Sequence, residues 1–365
     1  MKKLVFFLLL LPMFSGICFA EDIEEVTARV TDIFQVESGL EEEERSVSGE
    51  LQIDGSYDAR GALGRLLERF RNDLRGELKQ ELRFGGILIA IALLCSLTTA
   101  LCPGSKPPQY MELIACCAAT LLLAGGLDGV IAQATDALGR LSAYSKTATP
   151  VFFTAVAASG GLVSASVKYA AVSFAMDVFM TISQRFILPL IHAYLAVSIC
   201  AGLFENSMIL TAGRVIKWCA ITAMTVLTTA FGLYISLSGV ISGSADAAAV
   251  KTTKTVISTT LPVVGGILSD SASAMLSAAA VIKNSAGVFS LIAVCAICVG
   301  PFAVLSVKMF VFRACAALSE LACGGRYVKM LGNVGTAFGM LLGLVGSYGM
   351  MLFLSFMSGI RMAAV

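Results

Sequence analysis

The chain has 365 residues, of which 57% are hydrophobic and 14% charged, with a formal net charge of +1. Its mean hydropathy is +0.84. Soluble domains are about 45–50% apolar, so this composition excludes an ordinary soluble fold and indicates an integral membrane protein with several helices. A net charge so near zero also excludes a global electrostatic pull toward nucleic acid.

Residues 1–20 read as a secretory signal peptide. Lys2 and Lys3 precede the apolar run LVFFLLLLPMF, and CFA before Glu21 places small residues at the cleavage position. A spanning helix needs about 20 apolar residues, so cleavage between Ala20 and Glu21 is expected rather than retention as an anchor. Eleven cysteines are present, none of them in 21–83. Those beyond the signal lie in or beside apolar runs, where cysteine acts as a small hydrophobe, and no structural disulfide is expected.

Residues 21–55 carry EDIEE and EEEER and read as an acidic, flexible extracytoplasmic segment with room for one short helix. Residues 56–83 read as an amphipathic helix. Leu63, Leu67, Phe70, Leu74, Leu78 and Leu82 recur at spacings of three and four, with arginines between them. Such a face suits anionic lipid headgroups or a partner helix.

Apolar runs long enough to span follow at 84–102, 111–133, 186–204, 215–241, 286–307 and 331–357. The expected fold is an all-α polytopic membrane protein with about six full transmembrane helices. Two further segments, 150–183 and 262–285, read as re-entrant or amphipathic hairpins. A shift of 112 residues superposes Pro150 on Pro262, Pro189 on Pro301, and Gly213, Arg214 and Lys217 on Gly325, Arg326 and Lys329. A parallel internal repeat of that period is therefore expected. The organisation is then a first transmembrane pair with its loop (84–149), repeat A (150–241), a linker (242–261) and repeat B (262–365). Pro150 with Gly160 and Gly161, and Pro262 with Gly265 and Gly266, are the expected hairpin bends.

An exported N-terminal segment sets the topology. Counting spans from outside places Arg214, Lys217, Arg326 and Lys329 in cytoplasmic turns, as the positive-inside rule prefers. Ser269, Ser273 and Ser277 form a polar stripe at i, i+4 and i+8, and Ser159, Ser166, Ser173 and Asp177 make a similar one. Small polar residues suit either a helix seam or a pore lining. Charges in apolar context are costly and therefore informative. Asp128, Asp177 and Asp270, with the 269–273–277 serines, are the candidate pore or gate residues. Lys168, Arg185 and Lys283 read equally well as snorkelling surface residues.

The sequence offers little for catalysis. His192 is the single histidine, with no acid near it in sequence. Cys116–Cys117 and Cys295-x-x-Cys298 lack further ligands at metal-binding spacing, and no P-loop motif occurs. Neither an enzyme activity nor a cofactor or metal is expected. The glycines of GMLLGLVGSYG are spaced for close helix packing.

Three stretches, GGLVSASVKYAAVSFAMDVF, LPLIHAYLAVSICAGLFE and LPVVGGILSDSASAMLSAAAVIKNSAG, resemble the stage III sporulation protein AE family, and the resemblance covers about 85–360. It is a whole-pattern match without a catalytic motif. The resemblance implies a mother-cell membrane component of a channel or secretion apparatus joining mother cell and forespore. It also implies partners from the same operon: a secretion-type ATPase and a ring-forming bitopic membrane protein. The lipid bilayer is the other implied partner, and no nucleic acid is. A self-contained solute permease with paired hairpins is the alternative reading.

Overall fold

The computed structural model describes Leu40 and residues 42–48, 58–101, 107–159, 162–204, 207–260, 265–322 and 325–361. The expected signal peptide, its Ala20–Glu21 junction, Gly160, Gly161 and Pro262 lie outside the described residues. Every regular element among those described is helical. The short α1, Glu42–Ser48, precedes α2, Ala59–Leu101; then come α3, Pro107–Ala124, and α4, Leu127–Ala158. Next are α5, Leu162–Ile182, a π-helical turn over Ser183–Ile187, and α6, Leu188–Leu203. The long helices α7 (Ser207–Thr260), α8 (Gly265–Ser319) and α9 (Gly325–Ile360) complete the chain.

Among the described residues, five helical stretches are long and apolar enough to cross a membrane, and a sixth passage arises if α3 and α4, bent by 42°, act as one span. Contacts at the helix ends fix the direction of each passage. At one end, a Cβ on Gly202 of α6 would touch Met330 of α9. The end of α6 and the start of α9 therefore lie together, at what is here the first end. At the opposite, second end, Phe152 of α4 stacks edge-on to Phe356 of α9 at 5.2 Å and 88°, and Lys168 of α5 donates to Ser358. α2 runs beside α8 in the same direction, with Glu81 against Lys308 and Gly85 against Cys315. The passages thus alternate, and residues 59 and 360 both belong to the second end.

Small residues let these helices approach. Gly339, Gly346 and Gly349 of α9 face Met309, Phe302 and Cys298 of α8, where a Cβ would sit 3.0–3.1 Å from the nearest side-chain atom. The next glycine on another face, Gly343, meets Met224 of α7 at the same separation. Burial of Phe312, Phe338, Tyr348, Leu341 and Leu344 between the helices forms the centre of the core. In lipid, where hydrocarbon offers no hydrophobic drive between helices, such packing carries association.

The two segments read as hairpins take other forms. Pro150 lies inside α4, and the chain breaks only after Ser159. Residues 162–182 are α5, which continues through the π turn into α6. The π turn has a local cause. Pro189 has no N–H to give to the carbonyl of Arg185, and the ladder widens just before it, with Leu188 N–H reaching Ser183 O. Gly265 and Gly266 open α8, which then runs without a break through Pro301. The amphipathic helix expected over 56–83 and the first apolar run form one helix, α2.

Candidate functional site: the buried charges of the bundle

A charge in an apolar helix is costly, so the placement of each one shows what it does. Among the described residues, Glu44, Glu81, Lys168 and Lys283 are buried and Glu112, Arg140, Lys308 and Arg326 partly so. Glu81 of α2 has a side chain only 6% exposed and pairs with Lys308 of α8, itself 17% exposed. The acid stands on the α8-facing side of α2, one turn before Gly85, whose missing side chain admits Cys315 and Val311. The close helix approach and the ion pair therefore occupy the same spot.

At the first end, Glu112 of α3 accepts the backbone N–H of Arg326 at 2.5 Å and lies 3.9 Å from its guanidinium. Arg326 is the second residue of α9. A carboxylate at a helix N-terminus satisfies otherwise unpaired N–H groups and opposes the positive end of the helix dipole. Tyr327, the next residue, is fully buried and donates its hydroxyl to Leu88 O at 2.8 Å. Together Glu112 and Leu88 tie the start of α9 to α3 and α2.

Glu44 of α1 is 2% exposed and pairs with Arg140 of α4 at 3.0 Å, and Arg140 also lies 3.2 Å from Asp136. Leu40 and Ser48 on the same side of α1 are buried too. Part of the acidic segment, read as flexible with one short helix, is thus packed as a short helix against the bundle.

At the second end stand Lys168 and Lys283, 1% and 2% exposed. Lys168 donates to Ser358 Oγ at 2.6 Å. Lys283 precedes by one turn Gly287, against whose Cα Ile360 and Phe152 pack. Two helices therefore bring a lysine each toward the last turn of α9. Both are fully enclosed, so neither snorkels to the surface.

The candidate pore residues are distributed differently. Asp177 is 66% exposed on the outer face of α5, within 3.9 Å of the equally exposed Lys146. Ser166 and Ser277 are exposed as well, whereas Ser159 is buried and donates to Val156 O. The side chains of Asp128, Ser269, Asp270 and Ser273 lie outside the described residues. Arg214 is exposed and donates to Thr211, Lys217 is half-buried, and Lys329 is exposed. Gly325 and Arg326 open α9, but Gly213 and Arg214 lie in the second turn of α7, because α7 starts directly after the break. Both basic groups belong to the first end. His192 is exposed, and no cluster of metal-ligating residues occurs among the described residues.

Sequence reading did not single out Glu81, Glu112, Glu44, Arg140 or Lys308. Their partners are 96 to 227 residues distant, so no local spacing announces them. The available signal was weaker: Glu112 and Lys308 each interrupt an otherwise apolar run.

These features define a polytopic, all-α membrane protein whose helices are cross-linked by buried ion pairs. The family model for stage III sporulation protein AE matches residues 54–362, and the chain belongs to that family of sporulation proteins. A curated relative, the stage III sporulation protein AE of Bacillus subtilis (strain 168), is 25% identical over 248 residues. That match covers 67% of this chain and 60% of the relative's length. No solved structure matches the chain.

Proposed function

We propose that this protein is a gate or scaffold subunit of a multiprotein export or channel complex between mother cell and forespore, and that it has no enzymatic role. Family membership supports the sporulation setting. The observation that favours a subunit over a self-contained permease is the use made of the charges. Glu81, Glu112 and Glu44 each join two helices, which stiffens a frame, and Asp177 faces outward. The proposed partners are a secretion-type ATPase and a ring-forming bitopic membrane protein. The proposed orientation has the N-terminal segment and the second end extracytoplasmic, in the mother-cell membrane around the forespore. The first end, with Arg214, Lys217, Arg326 and Lys329, then faces the cytoplasm, as basic residues prefer.

Reconstitution separates the two readings. Purified protein in liposomes should move no small solute alone, and flux should appear only when the partner subunits are added. Solute transport by the isolated chain would establish the permease instead. Single cysteines at positions 216 and 328 should resist an impermeant thiol reagent in intact cells. Labelling of either would reverse the orientation.

A further inference from the structure

The first half of α2 separates its charges by face. Asp73, Glu77 and Glu81 lie on the inner side, partly or fully buried, with Glu81 on Lys308 and Asp73 3.8 Å from the half-buried Arg69, the cation on that side. Arg60, Arg71, Arg75, Lys79 and Arg83 are exposed on the outer side, and Glu68, 3.9 Å from Arg71, is the acid that accompanies them. Beside these cations runs an uncovered leucine stripe: Leu63, Leu67, Leu78 and Leu82 are 53%, 59%, 38% and 58% exposed. The bundle therefore uses only the middle of the apolar face that the leucine spacing announces, where Phe70 and Leu74 are half-buried and Leu74 packs on the core; α2 meets α8 chiefly through Glu81, Phe84 and Gly85. Cations at nearly every turn keep this face out of the bilayer centre.

Residues 21–39, outside the described structure, have the complementary pattern. Ile23, Val26, Val30 and Ile33 recur at spacings of three, four and three, which is one helical stripe. Around them stand Glu21, Asp22, Glu24, Glu25, Asp32 and Glu37 against a single basic residue, Arg29. The segment is also delivered to the right place. Leu40 is 4% exposed, and its carbonyl is held by Arg45 of α1, which packs between α2 and α8. Nineteen helical residues extend about 28 Å, which equals the distance from Leu63 to Leu82 along α2.

We propose that residues 21–39 dock as an amphipathic helix on the leucine–arginine face of α2 in the same chain. The hydrophobic stripes meet, and the segment's carboxylates lie against Arg71, Arg75 and Lys79. The acidic N-terminal region is then a structural part of the subunit that masks a basic surface, and Leu40 with α1 is its hinge side.

The test is photo-cross-linking in the full-length protein, in its native membrane. A benzophenone amino acid replaces Val30, and cross-linked peptides are mapped by mass spectrometry. The expected result is an intrachain adduct to peptides covering 63–82. Its yield should fall by about fivefold or more in Arg71→Glu/Arg75→Glu/Lys79→Glu, since each exposed pair contributes modestly. Adding Asp22→Lys, Glu24→Lys and Glu25→Lys should restore it, which a merely misfolded triple variant would not allow. An adduct at twice the chain mass would assign the face to a second copy and overturn the proposal. Adducts to lipid, to another protein, or to this chain outside 63–82 would overturn it equally.

Discussion

Lys308→Met exposes the logic of the buried pair between α2 and α8. The substitution keeps the length and removes the ammonium, leaving Glu81, 6% exposed, with its carboxylate enclosed beside α8. Gly85 and Cys315 close the helix contact one turn away, so the acid has little room to turn toward water. Breaking a buried pair in this way costs about 3–5 kcal/mol, whereas replacing both partners with apolar residues of similar volume is often neutral. Lys308→Met should therefore destabilise by about 3–5 kcal/mol, and Glu81→Leu by a similar amount. The double variant Glu81→Leu/Lys308→Met should recover to within about 1–2 kcal/mol of the native protein. Unfolding free energies from denaturant titration in mixed micelles, combined as a double-mutant cycle, give the coupling directly. Additive losses in the double variant, or a Lys308→Met protein within about 1 kcal/mol of native, would show that the pair behaves as a solvated surface contact and not as a buried one.

Gly359→Ala would place a methyl in the buried ring of Phe152, which is already fixed edge-on against Phe356; a loss of about 1–3 kcal/mol is expected. Gly86→Ala, with open space around the position, should be neutral or slightly stabilising in the same titration. Glu112→Ala should weaken the start of α9 by about 1 kcal/mol, seen as faster hydrogen exchange at the Arg326 and Tyr327 amides while the α9 centre stays protected. Ser358→Ala removes the hydroxyl that receives Lys168 and should cost about 1–3 kcal/mol, whereas Lys168→Met should fold normally. A sporulation defect in Lys168→Met despite normal protein levels would assign that lysine a role beyond packing. Asp270→Asn should likewise keep protein levels while impairing sporulation, and normal sporulation in both Asp270→Asn and Asp270→Leu would make the residue a tolerated one.

The passages were legible because each apolar run approaches or exceeds the roughly 20 residues a bilayer demands; 215–241, 286–307 and 331–357 lie within helices that contain a qualifying span, and 84–102 falls in α2 as far as Leu101. The 186–204 run is the second half of a longer passage that begins at Ser164, and 111–133 straddles the bend between α3 and α4. The glycine spacing of 339–349 also announced the seam with α8. The leucine stripe of 63–82 announced an amphipathic helix but not which of its faces meets the bundle, because close approach at Gly85 and the Glu81–Lys308 pair dominate the packing of α2. The exposure of Asp177 was hidden because its neighbour Lys146 belongs to another helix. Lys168 and Lys283 were ambiguous for a related reason: a lysine reads the same in sequence whether its stem reaches outward or is enclosed.

The tie between Glu112 and Arg326 spans 214 residues of chain, and that between Glu81 and Lys308 spans 227. A ribosome adds roughly 5–20 residues per second, so each acid emerges some 10 to 45 seconds before its partner exists. During that interval α2 and α3 hold carboxylates that the finished bundle encloses. They must rest against water, headgroups or the insertion machinery until α8 and α9 arrive. The last two helices therefore act as the closing step of assembly, and a chain arrested before Lys308 is left with its acids on display, a form that membrane quality control can recognise.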